Sequence, residues 1–286
     1  MSKVDQFESV FRAAIHDVYE HKNIPLSTIL IISDLEGTTK NDFENKIKAF
    51  SKHIDLEGTD RWLSLSKGDY KSSQELIKRI EEFQPDLIFT YRNLQSSDWQ
   101  YSLSLGEDLD VLIQKTTVPV VVLPHPLDKD IYKHALKNTN CVMAITDHLS
   151  SDDDLVNYAV QFTEPEGKLY LVHIEDANTF DYYMDTISKI SEIDTDDARL
   201  SISKQLLKAP NDYIHSVKAH LQQENLAINV EKIVGFGHHL TEYQNYIKQY
   251  QVDLLVMNTQ DKEQMAMHGL AYPLVVELRS IPLLLI

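Results

Sequence analysis

The sequence predicts an α/β fold in two tandem halves, each a parallel sheet flanked by helices, with the first half lacking one βα unit. Three observations carry this. Short, nearly unbroken runs of β-type apolar residues recur along the chain, amphipathic helical segments separate them, and the same blocks return in the same order. Continuous apolar strands of this kind suit a parallel sheet covered by helices on both faces.

Taken in order, Val4, Phe7, Phe11, Ala14, Ile15 and Val18 form one side of an amphipathic helix. This helix is expected to cover surface that the shorter half leaves open. TILIISD at 28–34 and CVMAITD at 141–147 are apolar runs that each stop at an aspartate. Ser72-Ser73-Gln74-Glu75 resembles a capping box and precedes Leu76, Ile77, Ile80 and Phe83 at helical spacing. The counterpart helix carries Leu240, Tyr243, Ile247 and Tyr250. PDLIFT at 85–90 matches VDLLVM at 252–257, and VPVVVL at 118–123 matches IPLLLI at 281–286. Leu105, Leu109, Leu112 and Ile113 mark the helix before the last strand of the first half. In the second half Pro273 falls in the corresponding first turn, where proline is tolerated.

The second half carries 54 more residues between Asp147 and Gly235 than the first carries between Asp34 and Gly68 (88 against 34). The surplus reads as a strand, LYLVHI at 169–174, and a mostly helical polar stretch at 176–223 with a partial stripe of Ile202, Leu206, Ile214, Val217 and Leu221. The domains are therefore placed at 1–127 and 138–286, the first sheet being one strand shorter.

The net charge of −17 repels phosphate backbones and anionic membranes, and no Lys/Arg run offsets it locally. A nucleic-acid or membrane partner is not expected. Cys141 is the single cysteine, which excludes an intrachain disulfide and a cysteine-rich metal site. The start of the chain has no apolar signal-like region, and its apolar runs are strand-sized, so a soluble cytoplasmic protein is expected.

The blocks ending in Asp34 or Asp147, the glycines Gly68 and Gly235, the PDLIF and VDLLV runs and the terminal VPVVVL and IPLLLI together resemble the universal stress protein family in two copies. That resemblance implies Rossmann-like domains of the adenine nucleotide alpha hydrolase-like type, a stress-response role, and pairing of the two domains within the chain through their last strands. A homodimer is compatible with it.

Members of the family that bind ATP carry Gly-x2-Gly-x9-Gly-Ser/Thr after the fourth strand, because backbone N–H groups must approach the phosphates closely. In the second half the three glycine positions fall on Asn258, Asp261 and Gly269, followed by Leu270, and Asp261 and Glu263 add negative charge. In the first half the first two fall on Tyr91 and Leu94. The resemblance thus implies a degenerate site, with no cofactor expected and ATP or AMP open only for the C-terminal domain.

The candidate cofactor-binding residues are Asp147, Gly235, Asn258 and Gly269, with Asp34 as the first-half equivalent. The two aspartates end strands where ligands of open α/β folds gather, yet turn formation or helix capping also accounts for them. Gly235-Phe236-Gly237-His238-His239 is expected to follow a strand and open a helix, a geometry suited to an anion or to a plain tight turn. His215 and His220 are five apart, and no histidine set has a recognised ligand spacing, so no metal site is expected. No nucleophile elbow or Walker loop is present, and Cys141 reads as an inert thiol. The expected function is non-catalytic stress response or signalling through a protein partner or small ligand. An ATP/AMP sensor with an altered loop stands as the alternative.

Overall fold

The computed structural model describes residues 18–54, 61–66, 68–96, 104–128, 135–146, 152–259 and 271–286. One nine-stranded sheet runs through them in the order β2-β1-β3-β4-β9-β8-β5-β6-β7. Its strands are β1 (Thr28–Ile32), β2 (Arg61–Leu65), β3 (Leu87–Tyr91), β4 (Val120–Leu123), β5 (Cys141–Ile145), β6 (Lys168–Asp176), β7 (Asn229–Gly237), β8 (Leu254–Met257) and β9 (Leu283–Leu285). The helices are α1 (Gly37–Phe50), α2 (Ser73–Phe83), α3 (Glu107–Lys115), α4 (Asp153–Phe162), α5 (Ala177–Ile187), α6 (Thr195–Gln223), α7 (His239–Tyr250) and α8 (Ala271–Glu277).

All neighbours pair in parallel except β4 and β9, which run antiparallel with Val121 opposite Leu284. The seam divides the sheet into four strands on one side and five on the other. β2 pairs directly with β1, in the place that β6 takes beside β5. β3, β4, β8 and β9 are buried at every residue, as apolar strands with helices on both faces must be. The two edge strands β2 and β7 carry exposed polar residues such as Arg61 and Glu231. Among the described residues no helix is long and apolar enough to cross a membrane.

Local signals place the helices. The Ser72 hydroxyl accepts from the Glu75 amide and so caps α2, while Glu75 reaches back to the Lys71 amide at 2.9 Å. The reciprocal bond of the capping box is thus displaced by one residue. The helical pattern over residues 4–15 lies outside the described residues. The segment that follows it packs on the five-stranded side and not on the shorter one. Tyr19 is buried, its hydroxyl donates to Asn157 of α4 at 2.7 Å and its amide donates to the Ser216 hydroxyl of α6, while Gln161 brackets Ile24. The side chains of α4 and α6 supply the acceptors that hold it there.

One device appears on both sides of the seam. The Asp86 amide donates to the Thr28 carbonyl at the start of β1, and its carboxylate accepts from Ser27 and Thr28. Asp253 repeats this on β5, its amide to the Cys141 carbonyl and its carboxylate from the Cys141 amide. Their titration differs. Burial pushes Asp86 up, but the bonds from Thr28 and Ser27 outweigh it and hold the carboxyl below 3.8. Burial dominates at Asp253 and raises it to about 6.

Asp86 therefore stabilises the fold above the ordinary carboxylate value, and that contribution is lost as pH falls through its depressed folded value. For Asp253 the sign reverses: the folded state prefers the protonated acid, so stability declines as pH rises from about 4 to about 6. Urea denaturation across pH 4–7.5 is expected to show Asp253→Asn gaining on the parent protein over that interval and level above it. Asp86→Asn should cost about 1–2 kcal/mol at pH 7.

Candidate functional site

Asp34 follows β1 at the carboxyl edge of the four-stranded side, where ligands of open α/β sheets are held. Here the chain itself occupies the position. The Tyr91 hydroxyl, at the end of β3, donates to the Asp34 carboxylate, and the Gln95 amide donates to its other oxygen at 2.8 Å. Tyr91 is fully buried, with its ring edge-on to Phe43 and His125 at 5.3 and 5.0 Å. Burial pulls His125 down to about 4 and the Tyr91 hydroxyl upward, so both rings stay neutral at pH 7.

Beyond Tyr91 the chain turns back tightly. Asn93 and Gln95 have left-handed φ values of 56° and 58°, and the Asn93 amide donates to the Leu105 carbonyl. Gly106 (φ 85°) lies against this turn so closely that a Cβ would stand 2.7 Å from the Asn93 Cα. Tyr91 and the buried Leu94 occupy the positions where a phosphate cradle needs glycines. That plug was not foreseen from the sequence.

On the five-stranded side, Asn258 follows β8 and donates to Asp152 at 2.5 Å. Asp152 caps α4 through the Leu155 amide, and Asp153 and Asp154 follow in the first turn. Asn258 is thereby tied to the acidic start of α4, a poor setting for phosphate. Asp147 and Gly269 lie outside the described residues, as do Asp261, Glu263 and His268.

Gly235 is not in a turn. β7 continues through Gly237, with Gly235 opposite Ile174 and Gly237 opposite Asp176, and α7 starts only at His239. The nine-residue pairing with β6 carries the strand past the glycines. A Cβ on Gly235 would meet nothing within 4 Å, so no close backbone approach requires glycine there. β7 also lies three strand positions from β8, about 14 Å at the usual spacing, so Gly235 and Asn258 do not meet.

The added residues build a different site. Asp176 ends β6 and caps α5, accepting from the Thr179 amide at 2.7 Å. These bonds hold its carboxyl below the ordinary value, with smaller help from His239 and His238. α5 and the first half of α6 stand over the carboxyl end of β6 and enclose a cleft of about 560 Å³. Phe180, Met184, Ile202 and Leu206 form its apolar wall, and Glu175, Asp176 and His239 form its floor. His173, buried next to this floor, donates from Nε2 to Glu175 at 2.9 Å. The sequence signals for this cleft are the partial stripe containing Ile202 and Leu206 and the tyrosine pair, of which Tyr183 lines the cleft and Tyr182 is exposed.

Among the described residues no three His, Cys, Asp or Glu side chains converge as a metal site. The half-buried Cys141 thiol donates to the Tyr250 carbonyl and is raised to about 11 by burial and then by Asp253, which removes it as a nucleophile. Asp34→Ala is expected to cost about 2 kcal/mol by leaving the Tyr91 hydroxyl and Gln95 amide without an acceptor, and Tyr91→Phe about 1 kcal/mol. Urea denaturation measures both.

No family model matches this sequence, and no curated protein does. Solved structures do share the fold. A universal stress protein from Archaeoglobus fulgidus superposes with a TM-score of 0.52 at 12% identity, covering 90% of this chain and 97% of its own. A protein of unknown function from Pseudomonas aeruginosa superposes with a TM-score of 0.50 at 9% identity, covering 91% of this chain and 92% of its own. At these identities the likeness is one of fold: a mostly parallel α/β sheet of the universal-stress, Rossmann-like type.

Proposed function

We propose that the chain is a tandem universal-stress-type protein, with domains at 1–127 and 138–286, that acts by binding a small ligand or partner and not by catalysis. The observation that carries this reading is the plugged first edge, where Asp34 is satisfied by Tyr91 and Gln95. A carboxylate already bonded on both oxygens to Tyr91 and Gln95 has less acceptor capacity to offer an adenine. Fold alone names no activity, so the reading rests on this site chemistry. The fold likeness to the Archaeoglobus fulgidus protein supports a stress-response setting as part of this reading.

A nucleotide, if one binds, belongs to the second domain, through Asp147, Asn258 and Gly269. The acidic start of α4 beside Asn258 argues against it. Isothermal titration with ATP and with AMP, each with and without Mg²⁺, is expected to be flat. Saturable heat that vanishes in Asp147→Ala would replace this reading with that of a nucleotide sensor.

A further inference from the structure

We propose that the cleft under the α5–α6 hairpin binds a small apolar molecule carrying a protonated amine. This deepens the ligand-binding reading above, on which it rests, by giving the ligand a place and a chemistry. The cleft stands at β6, two strand positions from β8 and Asn258. It is separate from the plugged edge at Asp34, which lies beyond the seam.

Its volume of about 560 Å³ falls within the range of small-molecule sites, and its walls are apolar in a specific way. Phe180, Met184 and Ile187 recur along one face of α5, and Ile202 and Leu206 along one face of α6. Two such stripes on adjacent helices would ordinarily close on each other. Here they stay apart, and Leu206 remains 38% exposed while Met184 is at 1%.

Pro210 lies inside α6 and cannot bond the Leu206 carbonyl. Beyond the proline, Tyr213, Ile214, Val217 and Leu221 are buried against the fold, whereas before it the helix projects with Leu200 69% exposed. Among the described residues, six of the nine exposed large apolar side chains lie between Tyr182 and Leu206. Of these, Tyr183 and Leu206 line the cleft, so part of the exposed apolar surface belongs to it.

Charge selects the occupant. Glu175 and Asp176 lie on the floor, and among the described residues no lysine or arginine lines the cleft. Asp176 is committed to capping α5, but Glu175 receives one bond among the described residues, from His173 to Oε1, leaving Oε2 for a ligand. Arg199, which lies over the Phe180 ring, pairs with Asp181 at 2.9 Å. With a chain charge of −17 as background, an anionic head is repelled and an ammonium is attracted. Tyr183 adds an aromatic ring that favours a cation, the Phe180 ring being already met by Arg199 and Phe236.

The test is a fluorescence titration of the full chain with Nile red at pH 7, followed by displacement with decylamine, decanoate or ATP. Saturable 1:1 dye binding is expected, with decylamine displacing the dye at concentrations at least about tenfold lower than decanoate, and ATP ineffective. Leu206→Glu, at an exposed position compatible with folding, should weaken dye binding by about tenfold or more. Glu175→Gln should keep dye binding within about twofold while reducing the preference for the amine to about threefold or less. Absent dye saturation, unchanged binding in Leu206→Glu, or equal displacement by decanoate would each overturn the proposal. So would a dimer in light scattering that dissociates in Leu206→Glu, because that assigns the cleft mouth to a second copy. Failure here with flat ATP titrations leaves the binding reading intact, whereas ATP heat with normal dye binding removes that reading and keeps this site.

Discussion

The antiparallel pairing of β4 with β9 is the contact on which the rest of the sheet depends. β9 is three residues long, yet it is hydrogen-bonded on both sides, to β8 in parallel and to β4 in reverse. Its leucines and the facing valines are buried, so breaking the pairing would expose the centre of a nine-stranded core and not an edge. Arg92 reinforces the seam. It follows β3, is 5% exposed, and donates to the carbonyls of Val275 and Leu278 at the end of α8, on the chain that leads into β9. Burial and then Arg279 lower its guanidinium to about 9, and the helix C-terminus supplies the compensating negative end.

Reversal at the seam points the carboxyl edges of the two strand sets in opposite directions. Each edge then meets its own surroundings, and their chemistries diverge. One is filled by Tyr91 and tightened by the Asn93 turn; the other presents Asn258 tied to the acidic start of α4. The same divergence appears at the amino ends, where Asp86 and Asp253 perform one structural task with opposite titration shifts. Three bonds to the half-exposed Asp86 favour its charge, while deeper burial disfavours that of Asp253.

The largest asymmetry is the added β6–α5–α6 unit. β6 is a central strand with apolar residues on both faces, so it adds to the core; the hairpin of α5 and early α6 does not. Half of α6 is held by buried Tyr213, Val217 and Leu221, and the other half extends past Pro210 with its apolar stripe unfilled. Among the described residues, apolar surface and carboxylates converge without closing at the cleft between α5 and α6.

Much of the scaffold was legible in sequence. The apolar runs ending in Asp34 and Asp147, the Ser72 cap and the 54-residue surplus identify the strands, the helices and the extra unit, because these are local patterns of residue type and spacing. The candidate sites were legible as positions but not as environments. Asp34 could be placed at a strand end, but its closure depends on Tyr91 and Gln95, some sixty residues away, meeting it across the β1–β3 pairing. Gly235 reads locally as a turn, and only its register against Ile174 makes it strand. The cleft required two helices, a strand end and a proline to be assembled in space. Sequence determined which segments are strand, helix and core; tertiary structure decided which carboxylate is spent and which is free, because burial and hydrogen-bond partners come from residues far apart in the chain.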